Sequence, residues 1–169
     1  MMYSMHQHHK GFTLVETLVA ITILVIAMVG PLYAVHKSIT ASNTARDKLI
    51  ATALAQEGVE YVRGRRDNNY LAGRAWMAQL GGCFTPNTCT VDQGTDRLRV
   101  CGGSGCAPLK LTSANLYTQD SGHPVTKFTR TVQFKNVTAN EIQVTVTVNW
   151  MTFRIPYSVT VTEHLYDWL

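Results

Sequence analysis

Residues 12–35 read FTLVETLVAITILVIAMVGPLYAV, a run of apolar and small side chains interrupted by one ionisable group, Glu16. At 1.5 Å of rise per residue this run makes about 36 Å of helix, enough to cross a hydrocarbon core of about 30 Å. A short polar stub, MMYSMHQHHKG over residues 1–11, precedes it, with Lys10 next to Gly11. A basic stub ahead of a long apolar run keeps the stub on the cytoplasmic side and sends the chain beyond Val35 outside. A cleaved secretory signal is the competing reading. It fits less well, because the run exceeds the usual apolar length and the small residues Thr40-Ala41-Ser42 come too late for a cleavage site.

Working outward, the helical pattern continues past the apolar run. No proline occurs between His36 and Asn68, and Ala45, Leu49, Thr52, Ala55, Val59 and Val62 recur at steps of three and four. These positions predict one apolar or small stripe on an amphipathic helix over 36–68, a face that wants a sheet to lie on. Strands are legible near the other end. Phe128, Arg130, Val132 and Phe134 alternate with Thr129, Thr131 and Gln133, and Ile142, Val144, Val146, Val148 and Trp150 alternate with polar neighbours. Tyr157, Val159, Val161 and Leu165 alternate in the same way. This period of two predicts an antiparallel β-meander over 128–169 with one buried face, joined by links at Lys135–Asn140 and Met151–Pro156. The stretch 69–127 carries Gly, Thr and Cys and reads as a variable region, with at most short elements near Leu71–Leu80 and Leu98–Val100.

Composition excludes other classes. Hydrophobic residues are 46% and charged residues 15% of 169, too apolar for disorder and without the several long apolar runs of a multi-pass membrane protein. The net charge of +4 is too weak to indicate nucleic-acid binding unless it is concentrated. Arg63, Arg65, Arg66 and Arg74 form a basic cluster beside Asp67, and cations near a helix C-terminus are explained by its dipole. Nucleic acid is therefore an unlikely partner on charge alone. A nucleophile elbow, a phosphate loop, an HExxH and paired carboxylates are all missing, so the reading is not an enzyme and includes no cofactor and no metal.

Glu16 is the residue that asks for an explanation. A carboxylate in a membrane helix costs roughly 2.5–3.5 kcal/mol at the bilayer centre and is functional by default. The nearest cations in sequence are Lys10 and Lys37. Cleavage between Gly11 and Phe12 would create an amine four residues before Glu16, and in a staggered stack the amine of one chain could neutralise Glu16 of another.

At this point the residues resemble a family. Lys10-Gly11-Phe12-Thr13-Leu14-Val15-Glu16 followed by an apolar helix is similar to the class III leader of type IV prepilins and the related pseudopilins. The resemblance implies leader removal by a prepilin peptidase after Gly11, N-methylation of Phe12, and a role for Glu16 in filament assembly. It also implies the pilin fold, a long N-terminal α-helix on a C-terminal antiparallel β-meander. The implied organisation is a leader over 1–11, a transmembrane and assembly segment over 12–35 and an amphipathic segment over 36–68. Thr17–Ala34 and Ala53-Leu54-Ala55-Gln56-Glu57 look most like minor pilins and the PilV-type and I-type pseudopilins.

Many members carry a proline where this chain has Tyr33; here Gly30-Pro31 stands two places earlier. Pro31 lacks an N–H and frees the carbonyl of Ala27, so Gly30 and Pro31 are the expected helix kink. Implied partners are other pilin subunits, the prepilin peptidase and the inner-membrane assembly platform. The implied location is a single pass of the inner membrane, then a cell-surface filament. A minor pilin working in adhesion, motility or DNA uptake is the first reading. The alternatives are a pseudopilin of a type II secretion system and a membrane-anchored binding domain that does not polymerise.

Cys83, Cys89, Cys101 and Cys106 are expected to be oxidised outside the membrane. Three pairings are possible, and the two local ones are favoured because glycines and Pro86-Asn87 let each short loop close. A zinc site would ask for tighter ligand spacing and usually a reducing compartment. His6, His8 and His9 fall in the leader; His36, His123 and His164 are dispersed. Asn136-Val137-Thr138 matches a glycosylation sequon in an expected turn.

Overall fold

The computed structural model describes Gly11 and residues 13–167. It divides into two compact units, one reaching Asn43 and one beginning at Thr44. A single helical assignment, α1 (Leu14–Leu71), contributes to both.

In the first unit every described residue up to Ile39 is exposed. Its most apolar eighteen-residue window has a mean hydropathy of 2.5 with none of those residues buried. Helical backbone satisfies its own N–H and C=O groups, the condition for crossing lipid. The polar hydroxyls inside the run are satisfied too: Thr17 donates to the Leu14 carbonyl at 2.8 Å and Thr22 to the Leu18 carbonyl at 2.8 Å. The helical assignment continues through Gly30-Pro31.

The second unit is the α+β head. Five strands follow α1 into its main sheet: β1 (Cys89–Asp92), β2 (Arg97–Val100), β5 (Thr129–Thr138), β6 (Glu141–Thr152) and β7 (Ile155–Tyr166). Two short strands, β3 (Lys110–Leu111) and β4 (Tyr117–Thr118), make a separate ribbon. The sheet order is β2-β1-β5-β6-β7, with every neighbour antiparallel. One face of β6 is buried at alternate residues from Ile142 to Trp150, and Phe128, Arg130, Val132 and Phe134 supply the matching line beside it. Against this face lie Ala51, Leu54, Ala55, Val59 and Val62 of α1. At Gly58 the helix comes closest: a Cβ there would stand 2.9 Å from Val146 Cγ1 and 3.3 Å from Arg130 Cδ. A side chain there would press on Val146 and Arg130, so the close approach favours glycine.

Three expectations are corrected. First, the lower part of the expected helical stripe faces away from the sheet. Leu49 is 73% exposed and Ala45 is exposed, while Asp47 and Ala51 turn inward. A carboxylate decides that face, because Asp47 meets Lys127 and Thr152 from the head. Second, the sheet is wider than a three-stranded meander, since β1 and β2 of the middle region extend it. All four residues of β1 are buried, so it shows no alternation to detect. Third, the links are tight turns. β5 and β6 run almost to their ends, leaving Ala139-Asn140 and Phe153-Arg154 as the turn residues, so Asn136 lies in β5 opposite Ile142 rather than in a turn.

Candidate functional site

The N-terminal site is built from few side chains. Thr13 precedes the first helical residue, and its Oγ1 accepts a hydrogen bond from the Glu16 N–H at 3.2 Å. Thr13 is thus the N-cap, and Glu16 stands three positions later, where an acid complements both the free N–H groups and the positive end of the helix dipole. Thr-x-x-Glu is itself a capping signature, so this local role was available from the residues and was missed. Glu16 is exposed, and among the described residues no cation pairs with it. The cap thus fixes the backbone at Glu16, and its exposed carboxylate is open to a partner from outside the chain. The cleavage position is half described: Gly11 is exposed, with open space where a Cβ would stand. Phe12, with its expected methylation, lies outside the described residues, as do His6, His8 and His9.

In the head the four cysteines are joined locally, Cys83 to Cys89 and Cys101 to Cys106, with Cα separations of 5.4 and 4.8 Å. Cys83 and Cys89 are buried in the core, pinning the loop before β1 to the sheet, whereas Cys101 and Cys106 close a turn nearer the surface. The basic cluster is mostly neutralised: Arg63 pairs with Glu60 and Glu163, Arg65 with Asp96 at 2.9 Å, and Arg66 with Asp67 at 2.8 Å. That leaves little continuous positive surface there for a phosphate backbone. His164 Nδ1 lies 2.6 Å from Glu141 Oε1. No group of three or more metal-ligating side chains occurs among the described residues.

Three buried polar clusters hold the head together, none expected from the sequence as a site. Arg130, with no exposed surface, donates to the Leu54 carbonyl at 3.0 Å and the Val91 carbonyl at 2.7 Å, and pairs with Glu57 at 3.2 Å. It ties α1, β1 and β5 to one guanidinium. Asp92 pairs with no cation among the described residues; its carboxylate accepts from the Gln119 N–H and the Thr118 hydroxyl at 2.8 Å each, and from the Gly94 N–H at 3.1 Å. Burial alone would raise its pKa, but these hydrogen bonds outweigh it and hold the group below the ordinary aspartate value. Asp47 behaves alike: burial opposes ionisation, yet Lys127 and Thr152 stabilise the carboxylate and its pKa is lowered.

One comparison with known proteins gives a match. Residues 6–30 fit the family model described as the prokaryotic N-terminal methylation motif, spanning the Gly11–Phe12 junction, Thr13 and Glu16. No curated protein and no solved structure is matched.

Proposed function

From a chain whose residues 6–30 fit the prokaryotic N-terminal methylation motif, the class III leader of type IV prepilins, we propose a type IV pilin-like protein that serves as a structural subunit of a bacterial pilus-like surface filament. It is made as a prepilin, cut by the prepilin peptidase between Gly11 and Phe12, and methylated on Phe12. Residues 12–35 anchor it as a single pass in the inner membrane until the assembly platform packs it, through that helix, among other subunits. Gly30 and Pro31 supply the place where the helix bends or loosens on packing, since the Ala27 carbonyl has no N–H partner at Pro31. The subunit is structural, with no catalytic residue, cofactor or metal in its work.

The observation that supports this most is a helical segment exposed at every described residue up to Ile39, bearing a turn beyond the cleavage position a carboxylate that no cation pairs with among the described residues. Such a surface is at home in lipid or among copies of itself, and the acid is at home only beside a cation. The amine created at Phe12 of a neighbouring subunit is that cation.

Glu16→Gln tests the pairing cleanly. Glutamine serves equally in the capping box, so helix initiation and leader cleavage stay intact and only the charge is lost. Breaking a buried pair from one side costs about 3–5 kcal/mol, a hundredfold or more in docking. The variant is expected to accumulate as processed protein in the membrane and to be scarce in sheared filaments. Incorporation equal to wild type would overturn the assembly role of Glu16. Recovery of a mature protein that still begins at Met1 would overturn the processing.

A further inference from the structure

The head ends in two dissimilar features that fit one another, and we propose that the β6–β7 hairpin tip of one copy seats in a cleft at the opposite end of the head of a second copy. This contact rests on the filament reading and adds to it a partner surface for each end of the head.

The tip is made by Met151, Phe153, Arg154 and Ile155. Phe153 is 66% exposed, Met151 57% and Ile155 54%, three large apolar side chains in five residues on an otherwise polar hairpin. Two-residue hairpin turns of this kind put both central residues at positive φ, which Asn-Gly adopts readily and bulky side chains do not. Phe153 and Arg154 nevertheless have φ of 52° and 65°. A turn built from the wrong residues for its backbone, with its phenyl ring in water, is explained when the side chains are used. Arg154 has no ion-pair partner among the described residues. The tip is held rigidly from below, because neighbouring Thr152 is buried and donates to Asp47 at 2.7 Å.

The cleft, about 300 Å³, lies at the other end, between the last turns of α1 and the end of β7. Tyr70, Leu71, Trp76 and Tyr166 line it, with Arg66, Asp67 and Asp167 around them. Leu71 is 82% exposed. Arg66 and Asp67 pair with each other, which leaves Asp167 as the carboxylate without an ion-pair partner among the described residues. An apolar, mainly aromatic hollow with an unbalanced negative charge at its edge is complementary to a phenyl ring carrying a guanidinium beside it.

Geometry selects a second copy displaced along the head. The twelve residues of β7 join tip to cleft, about 36 Å of strand. From Asp47, which holds the tip, to Tyr70 in the cleft, α1 rises by about 35 Å. The two features therefore stand one head length apart and face different copies. A tip-to-cleft contact is heterologous, and repeated copies joined that way form an open filament rather than a closed pair. Copies held side by side with like ends level bring tip beside tip and cannot make it.

Phe153→Cys and Leu71→Cys, placed in separate full-length chains, test this. The four native cysteines are closed in two bridges, so each variant carries one free thiol. Both are produced together in filament-forming cells, and sheared filaments and membranes are treated with a short thiol–thiol cross-linker. A mixed dimer in filaments and not in membranes is the expected result. Arg154→Asp in the Phe153→Cys chain should lower that yield about tenfold by placing like charges together, and Asp167→Arg in the Leu71→Cys chain should restore it. Both variants present in filaments without a mixed dimer overturns the contact and leaves the filament reading standing. Wild-type chain missing from filaments overturns the filament reading and the contact with it. Dimers of Phe153→Cys alone, or Leu71→Cys joined to a different protein, overturn the pairing in favour of tip-to-tip contact or another partner. A mixed dimer only after Trp168 and Leu169 are removed assigns the cleft to the chain's own end and overturns it as well.

Discussion

Residues 14–43 and residues 44–71 are consecutive stretches of one helical assignment, yet they obey opposite rules. In the first, Leu, Val and Ile point outward on all sides and none is buried. In the second, a narrow line of small and apolar residues is covered by the sheet, and at Gly58 a side chain would press on Val146 and Arg130. Hydrogen bonding along the backbone is the same in both. What differs is the solvent each is made for: lipid or sister helices accept apolar surface from every direction, whereas a folded head in water covers one face and solvates the rest. Individual side chains should therefore matter little to the fold in the first stretch and greatly where the second meets the sheet.

The largest effect should come from the centre of the covered face. Val146→Asp strands a carboxylate against Gly58 and the core valines, a loss above about 4 kcal/mol, a large part of a typical domain's stability. Near-UV circular dichroism of the full chain in detergent should show a head that is unfolded or melts far earlier. If it melts like wild type, the covered face is misassigned.

Arg130→Ala comes next. It leaves Glu57 without its partner beside a cavity, and about 3–5 kcal/mol should be lost in denaturant titration. Arg130→Met fills the space without the charge. If Met restores wild-type stability, packing rather than polar balance is what Arg130 provides; if Met costs as much as Ala, the polar contacts are.

Gly58→Ala should cost about 1–3 kcal/mol, because Val146 must move to admit one methyl group. The same change at Gly30, where nothing lies within 4 Å, should leave head stability unaltered. A thermal melt of each compares the two stretches with one atom group.

Acid should separate them as well. Asp47 and Asp92 have folded pKa values held below the ordinary aspartate value. Their stabilisation is complete above the unfolded value of about 3.9 and is lost as pH falls through it toward the folded values. The head is expected to weaken below about pH 4 while helicity of residues 14–43 in detergent persists. Asp92→Asn should flatten that acid limb; an unchanged profile would remove Asp92 as its source.

Leu49→Ser is the smallest, within about 0.5 kcal/mol, since Leu49 faces away from the sheet. A loss of 2 kcal/mol or more, roughly what burying a leucine side chain contributes, would return Leu49 to the covered stripe.

Much of this molecule was readable without coordinates. The long apolar helical segment was, because length and apolarity can be counted along the chain. So were the faces of β5, β6 and β7, because alternation reports a sheet with one side covered. Even Arg130 fell on the inward line of β5 by period. The leader junction at Gly11-Phe12 and the acid at Glu16 were legible as a motif. What escaped depends on which partners arrive from far along the chain. The lower helix face turned on Asp47 meeting Lys127 and Thr152, eighty and one hundred and five positions away. β1 hid because both its faces are covered, which erases alternation. The carboxylate of Asp92 gained its role only when β4 was laid beside it. Local periodicity records whether a side chain faces solvent, and so the chain by itself determined the long helix, the faces of β5, β6 and β7, and its apolar N-terminal segment. Which buried polar group meets which, and how the two ends of the head differ, was decided by tertiary structure, because those energies exist only between residues that folding brings together.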